Sequence, residues 1–144
     1  MERTKTLVIA SGYFNPLHKG HIEYLNRSKA LGDFLCVIVN NDLQRELKGS
    51  SEFLKQDERK FIVQNLKSVD SVMVSIDNDR MVHRSIEFIV NWRGASFSKI
   101  LFTNGGDQLT AAAKEKEMCE QLGIEMIFGL GEKVQSSSWL LNKL

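Results

Sequence analysis

The feature that most constrains this chain is an alternation. Five short, almost unbroken apolar runs are separated by segments with helical periodicity. The runs are "KTLVIAS" (5–11), "FLCVIVN" (34–40), "SVMVSI" (71–76), "KILFTN" (99–104) and "IEMIFG" (124–129). Each is short and bounded by polar or glycine positions, the pattern of strands covered on both faces. Between them, Ile62, Leu66 and Val69, and again Val82, Ile86 and Ile89, form the i, i+4, i+7 stripe of amphipathic helices. The spacing predicts a helix over 20–31 with Gly32 as its left-handed stop. It also predicts a helix capped by Asp57 and one over 114–122 stopped by Gly123. The stretch 41–56 reads as a polar loop and 136–144 as a last helix. Buried strands alternating with helices predict βαβ units, hence an α/β fold with a five-stranded parallel sheet and helices on both faces.

A chain of 144 residues accommodates one such domain, 1–144. Its net charge of +1 supplies no basic field for nucleic acid, and none of its apolar runs is long enough to cross a membrane. No charged-then-apolar leader precedes the first run, and Cys36 and Cys119 belong to no cysteine cluster, so they read as reduced, packed thiols. The expected location is the cytoplasm.

In parallel sheets of this kind ligands bind beyond the carboxyl ends of the strands, where the strand order reverses. Residues 12–21, 40–48, 104–107 and 129–138 should therefore gather on one edge. The chain has neither a GxGxxG after its first strand nor a GxxxxGK[ST], which argues against a dinucleotide fingerprint and a P-loop. The loop "GYFNPLHKGH" (12–21) instead carries two of the three histidines and the only proline. Without a cysteine or third ligand nearby, His18 and His21 make a poor zinc site. They suit an anion. Gly20 opens the helix whose amides and dipole attract phosphate, both imidazoles can donate to its oxygens, and Gly12 and Pro16 stiffen the backbone. His83, between Val82 and Arg84 in a helical stretch, reads as a packed or solvated side chain.

The loop resembles the G-x-F-[DN]-x-x-H-x-G-H signature of the cytidylyltransferase-like nucleotidyltransferases. This group includes glycerol-3-phosphate cytidylyltransferase and heptose-1-phosphate adenylyltransferase. The likeness continues in order along the chain. "ALGDFLCVIVNND" resembles the family's second strand and its turn, and "KQDERKFIVQNLKSVDSVM" its E-x-R helix and following strand. "TNGGD" resembles the K-G-G-D of the heptose enzymes, and "QSSSWLL" the start of the final helix.

The resemblance implies a Rossmann-like nucleotidyltransferase fold. It implies transfer of a nucleotidyl group from ATP or CTP to a small phosphorylated acceptor, with release of pyrophosphate. Catalysis would be positioning and charge stabilisation without a covalent intermediate. His18, His21, Lys48 and Arg59 would be catalytic. Gly12, Tyr13, Phe14, Gly20, Asp107, Ser136, Ser137 and Ser138 would bind nucleotide. Magnesium would ride on the phosphates, largely through water, with no direct protein ligand. A homodimer is the implied assembly, for which Trp92 or Phe97 would suit the interface. Acceptor contacts would come from 47–56 and 77–84, where Lys48, Lys55, Arg80 and Arg84 are basic.

Two positions depart from the family pattern. Gly131 stands where many members have arginine, leaving Lys133 as the nearby cation for a phosphate contact, and Asn15 replaces the commoner aspartate. A non-catalytic nucleotide-binding sensor of the same fold is the alternative that the missing arginine raises. Class I aminoacyl-tRNA synthetases share HxGH but need a longer chain and a second, K-M-S-K-S-like signature that is absent here.

Overall fold

A computed structural model of the chain describes residues 5–105 and 113–130. The strands are β1 (Thr6–Gly12), β2 (Phe34–Val39), β3 (Ser71–Val74), β4 (Lys99–Gly105) and β5 (Glu125–Leu130). The helices are α1 (Lys19–Ala30), α2 (Asp42–Lys48), α3 (Gln56–Gln64), α4 (His83–Arg93) and α5 (Ala113–Leu122). All strand pairs are parallel, in the order β3-β2-β1-β4-β5. This is the predicted α/β, Rossmann-like sheet.

Alternate residues of the central strands feed two cores, as the period of two in a strand dictates. Leu7, Ile9, Cys36, Ile38 and Phe102 pack against Val82, Ile86 and Ile89 around α4 and Cys119 of α5. Val8, Ala10, Leu35, Val37 and Leu101 pack against Tyr24 and Leu25 of α1 and Val63 of α3. Helices therefore cover both faces, and each fully buried aliphatic side chain contributes about 1.5–3 kcal/mol. Cys36 and Cys119 are free thiols within these layers. Among the described residues no helix is long and apolar enough to cross a membrane.

Several local expectations need correction. The segment read as a polar loop contains α2, which Asn41 caps through its side chain and which Gly49 ends at φ 83°. Its Leu43 and Leu47 are exposed while Gln44 is fully buried, so no inward apolar stripe announces it. Gly32 is not a left-handed stop; Leu31 closes α1 in right-handed geometry. Glycine is needed at 32 for space, because a Cβ there would lie 2.7 Å from Val8 Cγ2 and 2.9 Å from the Thr6 carbonyl oxygen. Asp57 lies inside α3 rather than capping it; Lys55 is the N-cap, and Asp42 Oδ1 accepts from the Gln56 amide at 3.1 Å. His83 begins α4 instead of lying within it. Phe97 is half-buried on Phe34, whereas Trp92 is 64% exposed. Gly123, at φ 71°, follows α5 as predicted. The helix expected over 136–144 lies outside the described residues.

The sheet parts where its strand order reverses. β1 pairs with β2 as far as Gly12–Val39 but with β4 only as far as Ala10–Thr103. Beyond that point Tyr24 of α1 bridges the two strands. Its hydroxyl accepts from the Ser11 amide at 3.3 Å and donates to the Thr103 carbonyl at 2.6 Å. The crevice that parallel sheets use for ligands thus opens between β1 and β4.

Candidate functional site

The loop leaving β1 is held in one shape by close packing. Phe14 is in the left-handed region at φ 51°, and the Asn15–Pro16 bond is cis. The Phe14 ring is buried against Gly12, where a Cβ would sit 2.8 Å from ring atom Cζ. Asn15 is also buried. Its Oδ1 accepts from the amides of Phe53 and Leu54 at 3.0 and 3.1 Å, and its Nδ2 donates to the Ser51 carbonyl at 2.7 Å. An aspartate has no donor for that last bond, which gives the asparagine departure a physical reason.

His18 is the N-cap of α1. Its Nδ1 accepts from the Gly20 amide at 3.0 Å, and His21 Nδ1 accepts in return from the His18 amide at 3.1 Å. This is a capping box built from two imidazoles. With both Nδ1 atoms accepting, hydrogen-bond geometry assigns the proton of each neutral ring to Nε2. The rings stack at 3.8 Å, and Phe14 meets His21 edge-on at 5.1 Å. Burial lowers the pKa of both histidines. His21 falls to about 3, with the nearby His18 and Lys48 charges adding to burial. The pair is therefore neutral at pH 7, with two Nε2–H donors. His18 Nε2 is shielded from solvent and has no hydrogen-bond partner among the described residues, a costly state that an anion oxygen would relieve. The expectation for Gly20 changes accordingly: its amide is engaged by His18 and is not free for phosphate.

Tyr13 and Lys48 form a second wall. Lys48, at the end of α2, lies with Nζ 4.4 Å from the centroid of the Tyr13 ring. Burial first, then the Arg80 charge, lowers the Lys48 pKa. Burial raises the Tyr13 pKa, and the Arg80 guanidinium beside the hydroxyl opposes that rise.

Arg59 is placed differently from the expectation that it reaches phosphate. It is fully buried, and its guanidinium donates to the carbonyls of Leu54 (3.0 Å), Tyr13 (2.8 Å) and Asn40 (2.6 Å) and to Asp42 Oδ1 (2.8 Å). It ties the ends of β1 and β2 to α2 and α3, a positioning role.

The sequence reading passed over two polar residues of this edge. Gln44, on the turn of α2 before Lys48, is signalled in retrospect by its three-residue spacing from Asn41, a capping-box pattern. Asn104, at the end of β4, is buried with its Nδ2 lacking a partner among the described residues; it lies within the "TNGGD" stretch expected at this edge but was not singled out there.

Asp77, Asp79 and His83 could meet at one cation among the described residues. Their atoms are already engaged. Asp77 accepts from Ser75, Ser85 and the amides of Arg84 and Ser85, while Asp79 accepts from the Met81 amide and Lys114 and pairs with His83. This cluster caps α4. Asp107, Lys133, Ser136, Ser137 and Ser138 lie outside the described residues.

A neutral two-histidine donor pair stands at the opening of a parallel sheet, beside Lys48 and Arg80, which have no carboxylate partner among the described residues. The cytidylyltransferase-like family model matches residues 9–135, and the chain belongs to that family. It is 32% identical to an FAD synthase of Thermoplasma acidophilum over 117 residues, 81% of this chain and 75% of that protein. It is 33% identical to the bifunctional protein HldE of Syntrophotalea carbinolica over 129 residues, 87% of this chain but 24% of the relative. With an FAD synthase of Picrophilus torridus it shares 38% identity over 72 residues, 50% of this chain and about half of the relative, 52%. Among solved structures, a lipopolysaccharide core biosynthesis protein from Thermoplasma volcanium aligns with a TM-score of 0.68 and 26% identity, covering 88% of this chain and 98% of that one. The chain thus spans about half the length of the Picrophilus torridus FAD synthase and about a quarter of HldE.

Proposed function

We propose that the chain transfers a nucleotidyl group from ATP or CTP to a small phosphorylated acceptor and releases pyrophosphate. The observation that carries this reading is the His18–His21 pair. Its Nδ1 atoms are locked into the helix cap, and the protonated Nε2 atoms are left for an anion. An acceptor phosphate oxygen attacks the α-phosphorus, and the two imidazoles stabilise the charge that builds on the equatorial oxygens. Lys48 neutralises phosphate charge from α2. Asp107 and Ser136 to Ser138, with Lys133, join the nucleotide site by family likeness. Magnesium would come with the triphosphate, without a direct protein ligand, and would supply charge neutralisation. Similarity to proteins named FAD synthase favours ATP as donor and a flavin phosphate among the first acceptors to try.

The test is thermal unfolding with magnesium and each of ATP, CTP, GTP and UTP, beside His21→Ala. A triphosphate at about 100 times its Kd stabilises by roughly 2.7 kcal/mol. The expected result is a shift with one triphosphate that the variant loses, followed by pyrophosphate release when a phosphorylated acceptor is added. Binding without pyrophosphate release across a panel of phosphate monoesters would turn the reading to a nucleotide sensor. No shift with any triphosphate would remove it.

A further inference from the structure

Arg80 stands in the β3–α4 connection on a turn that is unusually well fastened. Gln44 Nε2 donates to the carbonyls on both sides of it, Asp79 at 2.7 Å and Met81 at 2.8 Å. Asp79 Oδ1 closes the turn by accepting from the Met81 amide at 3.0 Å. The Gln44 carbonyl also accepts from the Tyr13 hydroxyl at 3.4 Å. One fully buried glutamine therefore sets the tyrosine and the arginine turn, and Lys48 follows it by one helical turn on α2. The result is two cations on either side of one phenol, the Lys48 ammonium over its ring and the Arg80 guanidinium beside its hydroxyl.

Neither cation has a carboxylate partner among the described residues, unlike Lys19, Lys29, Lys99 and Lys114. Two like charges held together repel, and the Arg80 charge, after burial, lowers the Lys48 pKa. An anion between them would supply the missing counter-charge. The Lys48 charge is close enough to His21 to add to the lowering of its pKa by burial and by His18, so Lys48 adjoins the donor pair.

We propose that Lys48, Arg80 and the Tyr13 hydroxyl form the seat of the acceptor's reacting phosphate, and that it takes a phosphate monoester as the dianion. This rests on the nucleotidyl-transfer reading. From that seat an oxygen of the monoester forms a bond to the α-phosphorus as the bond from the α-phosphorus to the pyrophosphate oxygen breaks. The electron pair leaves with pyrophosphate, and no proton changes hands. Two fixed cations favour a dianion over a diester's single charge, which makes Arg80 a specificity-determining residue. Gln44 is a positioning residue for it.

The same chemistry, a phosphate between two cations, could belong to the donor's triphosphate, and the experiment separates the two. Inorganic phosphate is titrated into isotope-labelled wild type, Arg80→Gln and His21→Ala, following the backbone amides of Tyr13, Lys48 and Arg80. The α,β-methylene analogues of ATP and CTP are titrated separately. The expected outcome is a saturable shift at those three amides that survives in His21→Ala and weakens about ten- to a hundredfold in Arg80→Gln. The analogue's Kd should change less than threefold in Arg80→Gln and should be lost in His21→Ala. Arg80→Lys should restore part of the phosphate affinity. Phosphate binding elsewhere, or an unchanged Kd in Arg80→Gln, overturns the seat. Weakening of the analogue instead assigns the two cations to the donor and overturns the acceptor role. Failure of both analogues on wild type counts against nucleotidyl transfer, while the phosphate titration still decides the seat.

Discussion

Two strand-to-helix junctions of this protein use similar residues for opposite ends. After β1, His18 and His21 begin α1; after β3, Asp77, Asp79 and His83 begin α4. Both junctions place polar, titratable side chains at a helix N-terminus on the same edge of the sheet. At the second, the carboxylates of Asp77 and Asp79 are fully engaged with serine hydroxyls, backbone amides, His83 and Lys114. At the first, each imidazole gives one nitrogen to the backbone and keeps the other, and His18 Nε2 is left shielded without a partner. Residue type does not distinguish a site from a cap. Unused hydrogen-bonding capacity does.

The comparison breaks first at the histidines. Removing a preorganised donor costs about 100- to 1,000-fold in turnover, so His21→Ala should lower pyrophosphate release by that factor. His83→Ala should leave it within about threefold, because its imidazole faces Asp79 rather than a ligand; a large loss there would make the second junction part of the site. Next in size is stability. Asp77→Ala removes the carboxylate that accepts from the first amides of α4 and from the Ser75 and Ser85 hydroxyls, at a cost of about 2 kcal/mol in urea unfolding. Triphosphate affinity should not follow. A smaller effect tests the loop between these regions: Asn15→Asp loses the Ser51 bond and should cost about 1 kcal/mol, read from the same unfolding curves.

The gentlest test is pH. His21 has a folded pKa of about 3 against 6.5 for a free imidazole, so the unfolded chain binds the extra proton between those values. Stability from this group is complete above about 6.5 and declines as pH falls toward 3. Unfolding midpoints at pH 7.5, 6 and 5 should fall along that window in wild type, and His21→Ala should flatten the decline. A profile unchanged by the substitution would mean that His21 is solvated in the folded protein.

Much of this was legible beforehand, and the rest failed for identifiable reasons. Apolar runs of strand length and the Val82, Ile86, Ile89 stripe mark elements whose side chains face the cores, and these appear as expected. Helix α2 escaped because its apolar Leu43 and Leu47 face outward and its inward residue is Gln44, which inverts the usual pattern. The histidine loop stood out through its residue types, but which nitrogen carries the proton depends on backbone amides that only the fold places. Arg59 was misread for a related reason. Likeness to the E-x-R helix suggests phosphate, whereas complete burial and four protein acceptors assign it to holding loops together. Sequence pattern reports which groups are present; whether a group is already engaged is a tertiary fact.

The imidazole capping box has a consequence for how this site can vary. The bonds that start α1 are the bonds that orient the two rings, so helix initiation and reagent preparation are one event. A chain that has not begun this helix has no prepared donors, and a chain that has begun it cannot present the wrong tautomer without breaking its own cap. The four residues His18 to His21 therefore carry both the start of α1 and the orientation of the two rings.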